Sequence, residues 1–142
     1  MKILIISGSR ADYGLLRLVS KALDAFHTRL MSIWGDSYVV AFSDVDAYLS
    51  DFKPDMLLVL GDRFEILAAA TAAHLNRIPI AHIGGGDVTK GSYDDAMRDC
   101  ISRMASVHFA TSGMSYQRLL SLDYSNVHLV GSPGVDYIKS SE

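Results

Sequence analysis

The chain has 142 residues, 49% apolar and 20% charged, with a net charge of −3. That suits one domain, residues 1–142, able to bury roughly two thirds of its unfolded surface. The faintly acidic balance excludes a broad basic face for nucleic acid or acidic lipid, while leaving room for a local cationic site.

Residues 2–7 form a short Ile-rich run, the pattern of a strand buried on both faces. This run is too short for a secretion signal, and no run approaches the ~20 apolar residues of a membrane span, so a soluble protein without a membrane partner is expected. Gly8 to Gly14 read as a turn, and Leu15, Leu18, Val19, Ala22 and Phe26 follow at helical spacing. Residues 28–43 are the least legible. Trp34 to Ser37 suit a turn and Tyr38 to Phe42 a short strand, after which Ser43 with Asp46 suits a helix N-terminus. Val45, Tyr48, Leu49 and Phe52 continue that helix, which Pro54 ends.

Asp55 to Leu60 read as a second buried strand, and Phe64, Leu67, Ala68, Thr71 and Leu75 as the helix after it. A strand over Ile78–His82 leads into the glycine-rich loop Ile83–Gly91. Ser92 and Asp95 then match a capping box. Tyr93, Ala96, Met97, Cys100, Ile101 and Met104 predict one apolar helix face, with Arg98 on the polar side. Cys100, the one cysteine, excludes an intrachain disulfide, fits a reducing cytoplasmic setting and is expected to be buried. A strand over Val107–Ala110, a helix capped by Ser112, a strand over Asn126–Val130 and a short terminal helix complete the chain. Alternating strands and helices with right-handed crossovers predict an α/β, doubly wound parallel sheet.

Ligands of such sheets bind outside the carboxyl ends of the strands. Gly61-Asp62-Arg63 and Gly84-Gly85-Gly86-Asp87 both follow strands, so their charges are expected at one edge. Neither G-x-G-x-x-G nor G-x-x-x-x-G-K-[ST] is present, which argues against a nicotinamide dinucleotide or P-loop site. Arg10 stands where a phosphate would dock at a helix N-terminus, although a surface arginine fits as well. Asp62 suits a helix cap as well as a site carboxylate. Arg63 has Glu65 as a rival partner. His82 suits a hydrogen-bonded core position, Asp87 a turn, and Asp94 and Asp95 the favourable negative charge of a helix start. No second His or Cys stands at ligand spacing, so no metal is expected.

Together, Gly8-Ser9-Arg10-Ala11-Asp12-Tyr13-Gly14, Gly61-Asp62-Arg63-Phe64-Glu65, His82-Ile83-Gly84-Gly85-Gly86-Asp87-Val88-Thr89, Asp94-Asp95-Ala96-Met97-Arg98 and Val130-Gly131-Ser132-Pro133-Gly134-Val135-Asp136 resemble the UDP-N-acetylglucosamine 2-epimerase family, most closely its hydrolysing branch. The resemblance implies a Rossmann-like domain forming the N-terminal half of a glycosyltransferase-B-type fold. It implies a domain shortened between its first helix and the helix before Pro54. It further implies a UDP-sugar substrate and no cofactor. Asp62, Asp94 and Asp95 would be catalytic, and Arg10, Arg63, His82, Asp87 and Arg98 would bind substrate. The family reaction removes UDP and hydrates the resulting glycal to N-acetylmannosamine or a related sugar, for sialic or legionaminic acid-type products. Two positions depart from the pattern: Gly84, where some members carry glutamate, and Asp99, where histidine is common. A non-catalytic binding or interaction module is the alternative reading, and a second copy of the chain is a candidate partner.

Overall fold

The computed structural model describes residues 1–33 and 36–141. Among these, six strands alternate with six helices: β1 (Lys2–Ser7), α1 (Arg10–Ala22), β2 (His27–Ser32), α2 (Tyr38–Phe52), β3 (Met56–Leu60), α3 (Phe64–Leu75), β4 (Ile80–Ile83), α4 (Asp94–Met104), β5 (Val107–Ala110), α5 (Gly113–Ser121), β6 (Val127–Leu129) and α6 (Pro133–Ser140). All neighbouring strands pair in parallel, in the order β2-β1-β3-β4-β5-β6. The chain steps from β1 outward to β2, then crosses to β3 on the other side of β1. The connections leaving β1 and β3 therefore diverge, the topological position outside which sheets of this kind bind their ligands.

The two sheet faces hold separate apolar clusters. Leu4, Ile6, Leu57 and Val59 face α2, α3 and α4, while Ile3, Ile5, Leu58 and Ala81 face Leu16 and Val19 of α1. α3 is apolar nearly all round because it lies between α2 and α4, and its buried Ala68, Ala69, Ala70, Ala72 and Ala73 let those helices approach closely. α6 covers part of α1. Among the described residues, no helix is long and apolar enough to cross a membrane.

Residues 27–33 and 36–43 fold differently from the sequence expectation. β2 is an edge strand with exposed and half-buried residues, so it lacks the continuous apolar run of β1 and β3. Tyr38 to Phe42, expected as a strand, open α2 instead. Ala41, Val45, Leu49 and Phe52 lie on one helical stripe buried in the core, and that stripe outweighs the strand preference of Tyr38, Val39 and Val40. The helix cap is Ser37, whose Oγ accepts from the Val40 N–H at 3.3 Å, not Ser43. The turn expected over residues 34–37 falls partly on residues 34 and 35, outside the described residues. Ser37→Ala is expected to cost about 1 kcal/mol in urea unfolding, and Ser43→Ala, at an exposed mid-helix position, close to nothing.

The face of α4 is also corrected. Arg98, Ile101 and Ser102 are its buried residues, and Cys100 is exposed. Only the C-terminal half of α4 meets the apolar core; its first turns lie over the turn after β3 and the glycine loop, where the neighbours are polar. The expected capping box does not form. Asp95 accepts from the Thr89 N–H at 3.1 Å, while Ser92 Oγ accepts from the Asp94 N–H at 3.2 Å.

Candidate functional site

The carboxyl edge of β1, β3 and β4 is built from short, tightly specified turns. After β1, Ser9 caps α1 by accepting from the Asp12 N–H at 3.1 Å, which sets Arg10 at the exposed first position of the helix. After β3, Gly61 adopts φ +90° and donates its N–H to the Ile83 carbonyl at 3.0 Å. Asp62 follows directly. It does not cap α3: Arg63 occupies the cap position, without a side-chain capping bond. Arg63 instead turns to Glu65, with Nε 3.2 Å from the buried carboxylate.

After β4, close packing forces glycine at positions 85 and 86, and a φ of +93° favours it at 84. A Cβ on Gly85 would stand 2.6 Å from Ser102 Oγ, and one on Gly86, at φ +80°, 2.5 Å from the Ser115 carbonyl oxygen. The loop then delivers Asp87. Its carboxylate accepts from Thr111 Oγ1 at 3.0 Å and from Ser115 Oγ. Arg118 holds the Gly86 carbonyl at 3.2 Å. Asp87 is therefore tied to neighbouring side chains, not to its own turn.

Arg98 is the hub. One guanidinium nitrogen donates to the Asp62 carboxylate; another donates to Asp95 and, at 2.7 Å, to the Asp87 carbonyl. Its side chain is only 8% exposed, against 22% for Asp62 and 27% for Asp95. A planar guanidinium suits this three-way clamp because its donors diverge in fixed directions. Burial pushes the Asp62 pKa up. Arg98 pulls it down, and the charges of Asp94, Asp95 and Asp12 push it up again, leaving a net rise above the ordinary carboxylate value. Such a carboxyl is suited to taking and returning a proton. Beside the clamp lies an open cleft of about 380 Å³, lined by Asp87, Thr89, Arg98, Ser112, Ser115 and Arg118 among others.

His82 is fully buried, and both ring nitrogens are engaged. Nε2 lies 2.8 Å from the Gly61 carbonyl and Nδ1 2.9 Å from Ser102 Oγ. A carbonyl only accepts, so Nε2 carries the proton and Nδ1 accepts from the serine hydroxyl. The ring thus offers no atom to a ligand, which moves His82 from the substrate-contact role implied by the resemblance to a core position. Burial lowers its pKa to about 4. Between the ordinary value of 6.5 and about 4, the unfolded chain binds a proton that the folded chain refuses. Stability is then lost as pH falls through this window, by roughly 3 kcal/mol in total. Urea midpoints measured from pH 7.5 to 4 are expected to fall more steeply for the native protein than for His82→Gln; parallel profiles would count against this assignment.

The structure thus brings Asp62, Asp87, Asp95 and Arg98 into contact and sets Asp94 close enough to act on Asp62 through its charge. Arg10 lies on the same edge, Arg63 is turned to Glu65, and His82 lies beneath. Sequence reading missed Ser102, Thr111, Ser115 and Arg118. Their signal was helical spacing: Ser102 stands one turn beyond Arg98, and Ser112, Ser115 and Arg118 recur every third residue. Among the described residues, no group of three or more His, Cys, Asp or Glu side chains could hold a metal ion.

Comparison with known proteins agrees with this architecture. Residues 3–142 match the family model described as UDP-N-acetylglucosamine 2-epimerase. The chain is 39% identical over 106 residues to a GDP/UDP-N,N'-diacetylbacillosamine 2-epimerase (hydrolyzing) of Campylobacter jejuni, covering 73% of the chain and 28% of that protein. It is 31% identical over 184 residues to the UDP-N,N'-diacetylbacillosamine 2-epimerase (hydrolyzing) of Legionella pneumophila, covering 96% of the chain and 47% of that protein. The chain therefore spans less than half the length of either relative. Since 96% of 142 residues is about 136, about 48 of the 184 aligned positions have no residue here, in keeping with a shortened domain. The fold superposes on the crystal structure of UDP-GlcNAc 2-epimerase from Neisseria meningitidis bound to UDP-GlcNAc with a TM-score of 0.90 at 24% identity, covering 99% of the chain and 48% of that structure. The chain belongs to the UDP-N-acetylglucosamine 2-epimerase family.

Proposed function

We propose that this domain carries one wall of the active cleft of a hydrolysing 2-epimerase acting on a UDP-linked 2-acetamido sugar. The observation that supports it best is the Asp62–Arg98–Asp95 cluster at the divergence of β1 and β3, with Asp62 raised in pKa and Asp94 beside it. In the proposed reaction a carboxylate removes the proton from C2, the carbon bearing the acetamido group. The C1–O bond to UDP breaks and a C1–C2 double bond forms. Water then supplies hydroxide to C1 and a proton to the opposite face of C2, giving the free epimerised sugar. Asp62 serves as the proton-transfer group, with Asp94 or Asp95 as the second acid–base group. Arg10, at the N-terminus of α1, takes the departing diphosphate, where cationic side chain and helix end act together. Arg98 holds the carboxylates in place, and Asp87 and Arg63 line the same edge.

The relatives' names extend the substrate class to diacetamido sugars, so products of sialic or legionaminic acid type both fit. The exposed free thiol of Cys100 is compatible with a reducing cytoplasm. Incubation with UDP-N-acetylglucosamine and with its diacetamido counterpart, followed by chromatography of UDP and free sugar, tests the reading. Release of UDP with an epimerised sugar is expected; a folded protein that neither binds nor turns over either compound overturns it. The second reading, binding without turnover, is favoured by Gly84 and Asp99, the two positions that depart from the family pattern. It predicts calorimetric binding that Arg10→Ala abolishes, with no UDP released.

A further inference from the structure

We propose that His82 and Ser102 form a positioning strut that sets the Asp62 carboxylate against Arg98. The proposal rests on the reading of Asp62 as the proton-transfer group. The contacts close a ring through the fold. Arg98 and Ser102 lie one turn apart on the buried face of α4. Arg98 reaches forward to Asp62. Ser102 reaches back to His82 on β4, and His82 holds the carbonyl of Gly61, the residue before Asp62. Gly61 is thereby held by β4 through both flanking peptide groups, its N–H donating to the Ile83 carbonyl and its carbonyl accepting from His82.

Three features mark the strut as specified. The donor order runs one way, from the Ser102 hydroxyl to Nδ1 and from Nε2–H to the carbonyl, so a single neutral tautomer satisfies every atom. The serine and the ring are each almost or wholly inaccessible, which denies them water as substitute partners. The glycine loop closes over the pair: a Cβ on Gly85 would meet Ser102 Oγ at 2.6 Å and His82 Nδ1 at 3.2 Å. The absence of a side chain at position 85 is thus the condition for the strut to exist. A shift of the Gly61 carbonyl would rotate the following residue and carry the Asp62 carboxylate off the Arg98 fork.

The test compares the native protein with Ser102→Ala, His82→Leu and His82→Gln; the last keeps an N–H able to reach the Gly61 carbonyl. Nitrogen-15 NMR of the native histidines is expected to show His82 neutral with its proton on Nε2, and carbon-13 NMR follows the Asp62 carboxyl through its titration. Ser102→Ala and His82→Leu are expected to displace that titration, and His82→Gln to restore it toward the native curve. Where UDP release is measurable, the two disruptive variants should lower kcat about tenfold with KM little changed, the usual scale for a supporting partner of a site group. An Asp62 titration unchanged in Ser102→Ala, despite a lower melting temperature, would reduce the pair to core packing and overturn the proposal. So would a native His82 protonated on Nδ1. These NMR results stand whether or not turnover occurs, so failure of the strut and failure of the proposed reaction are separable.

Discussion

Arg98→Met is expected to lower the unfolding free energy by about 3 kcal/mol in urea at neutral pH. Methionine fills much of the same volume, so the loss comes from charge. The variant leaves Asp62 and Asp95 facing each other, with Asp94 close by, and removes the donor to the Asp87 carbonyl. Removing one partner of a buried pair commonly costs about 3–5 kcal/mol, because the other charge stays desolvated. The lower end applies here, since Asp62 and Asp95 keep 22% and 27% of their side-chain exposure and water screens part of the repulsion. The destabilisation should shrink on acidification as Asp62, whose pKa is already raised, takes up a proton. Arg98→Lys should fall between the two, because one ammonium cannot replicate a fork spanning two carboxylates and a carbonyl. A loss below about 1 kcal/mol for Arg98→Met would mean that the carboxylates find other partners, and the hub would lose its meaning.

Asp62→Asn is expected to reduce UDP release by about 10²–10⁴-fold, the usual contribution of a positioned acid–base group. The amide has nearly the shape of the carboxylate and can still accept from Arg98, so nucleotide-sugar affinity and stability should change far less than rate. This separation distinguishes a proton-transfer role from a structural one. The pH dependence supplies a second check. In the proposed reaction Asp62 must be ionised to act as the base, and its pKa lies above the ordinary carboxylate value, so the rate should fall on the acid side before ordinary carboxylates titrate. Initial rates of UDP release across pH, measured for native and Asn variants, decide it. A variant as fast as the native protein would move the proton transfer to another residue.

Much of this fold is legible locally. The continuous apolar runs of β1 and β3 announce strands buried on both faces, and the expected cap Ser112 accepts from the Ser115 N–H three residues on, as short-range chemistry requires. The strand before the triple glycine and the charges after β3 and β4 are equally local signals. β2 is hidden for the opposite reason. At an edge only one side of a strand is paired and its faces are half covered, so nothing compels an apolar run. The beginning of α2 is hidden because Tyr38, Val39 and Val40 favour a strand, while the stripe that makes them helical is completed only eleven residues beyond Ala41, at Phe52.

The sequence by itself determined an alternating α/β chain, acidic turns at the carboxyl ends of its strands, and motifs that name a family. Tertiary structure decided what those turns do. Asp62 caps a helix or faces a guanidinium according to where Arg98, 36 residues later, is carried. Arg98 is buried because the first turns of α4 rest on polar loops, although helical periodicity alone puts it outside. His82 becomes a support because Gly61 and Ser102, each about twenty residues away, converge on its two nitrogens. Helix rotation, desolvation and the pairing of charges depend on groups distant in sequence, and local patterns carry no information about them until the sheet brings those groups together.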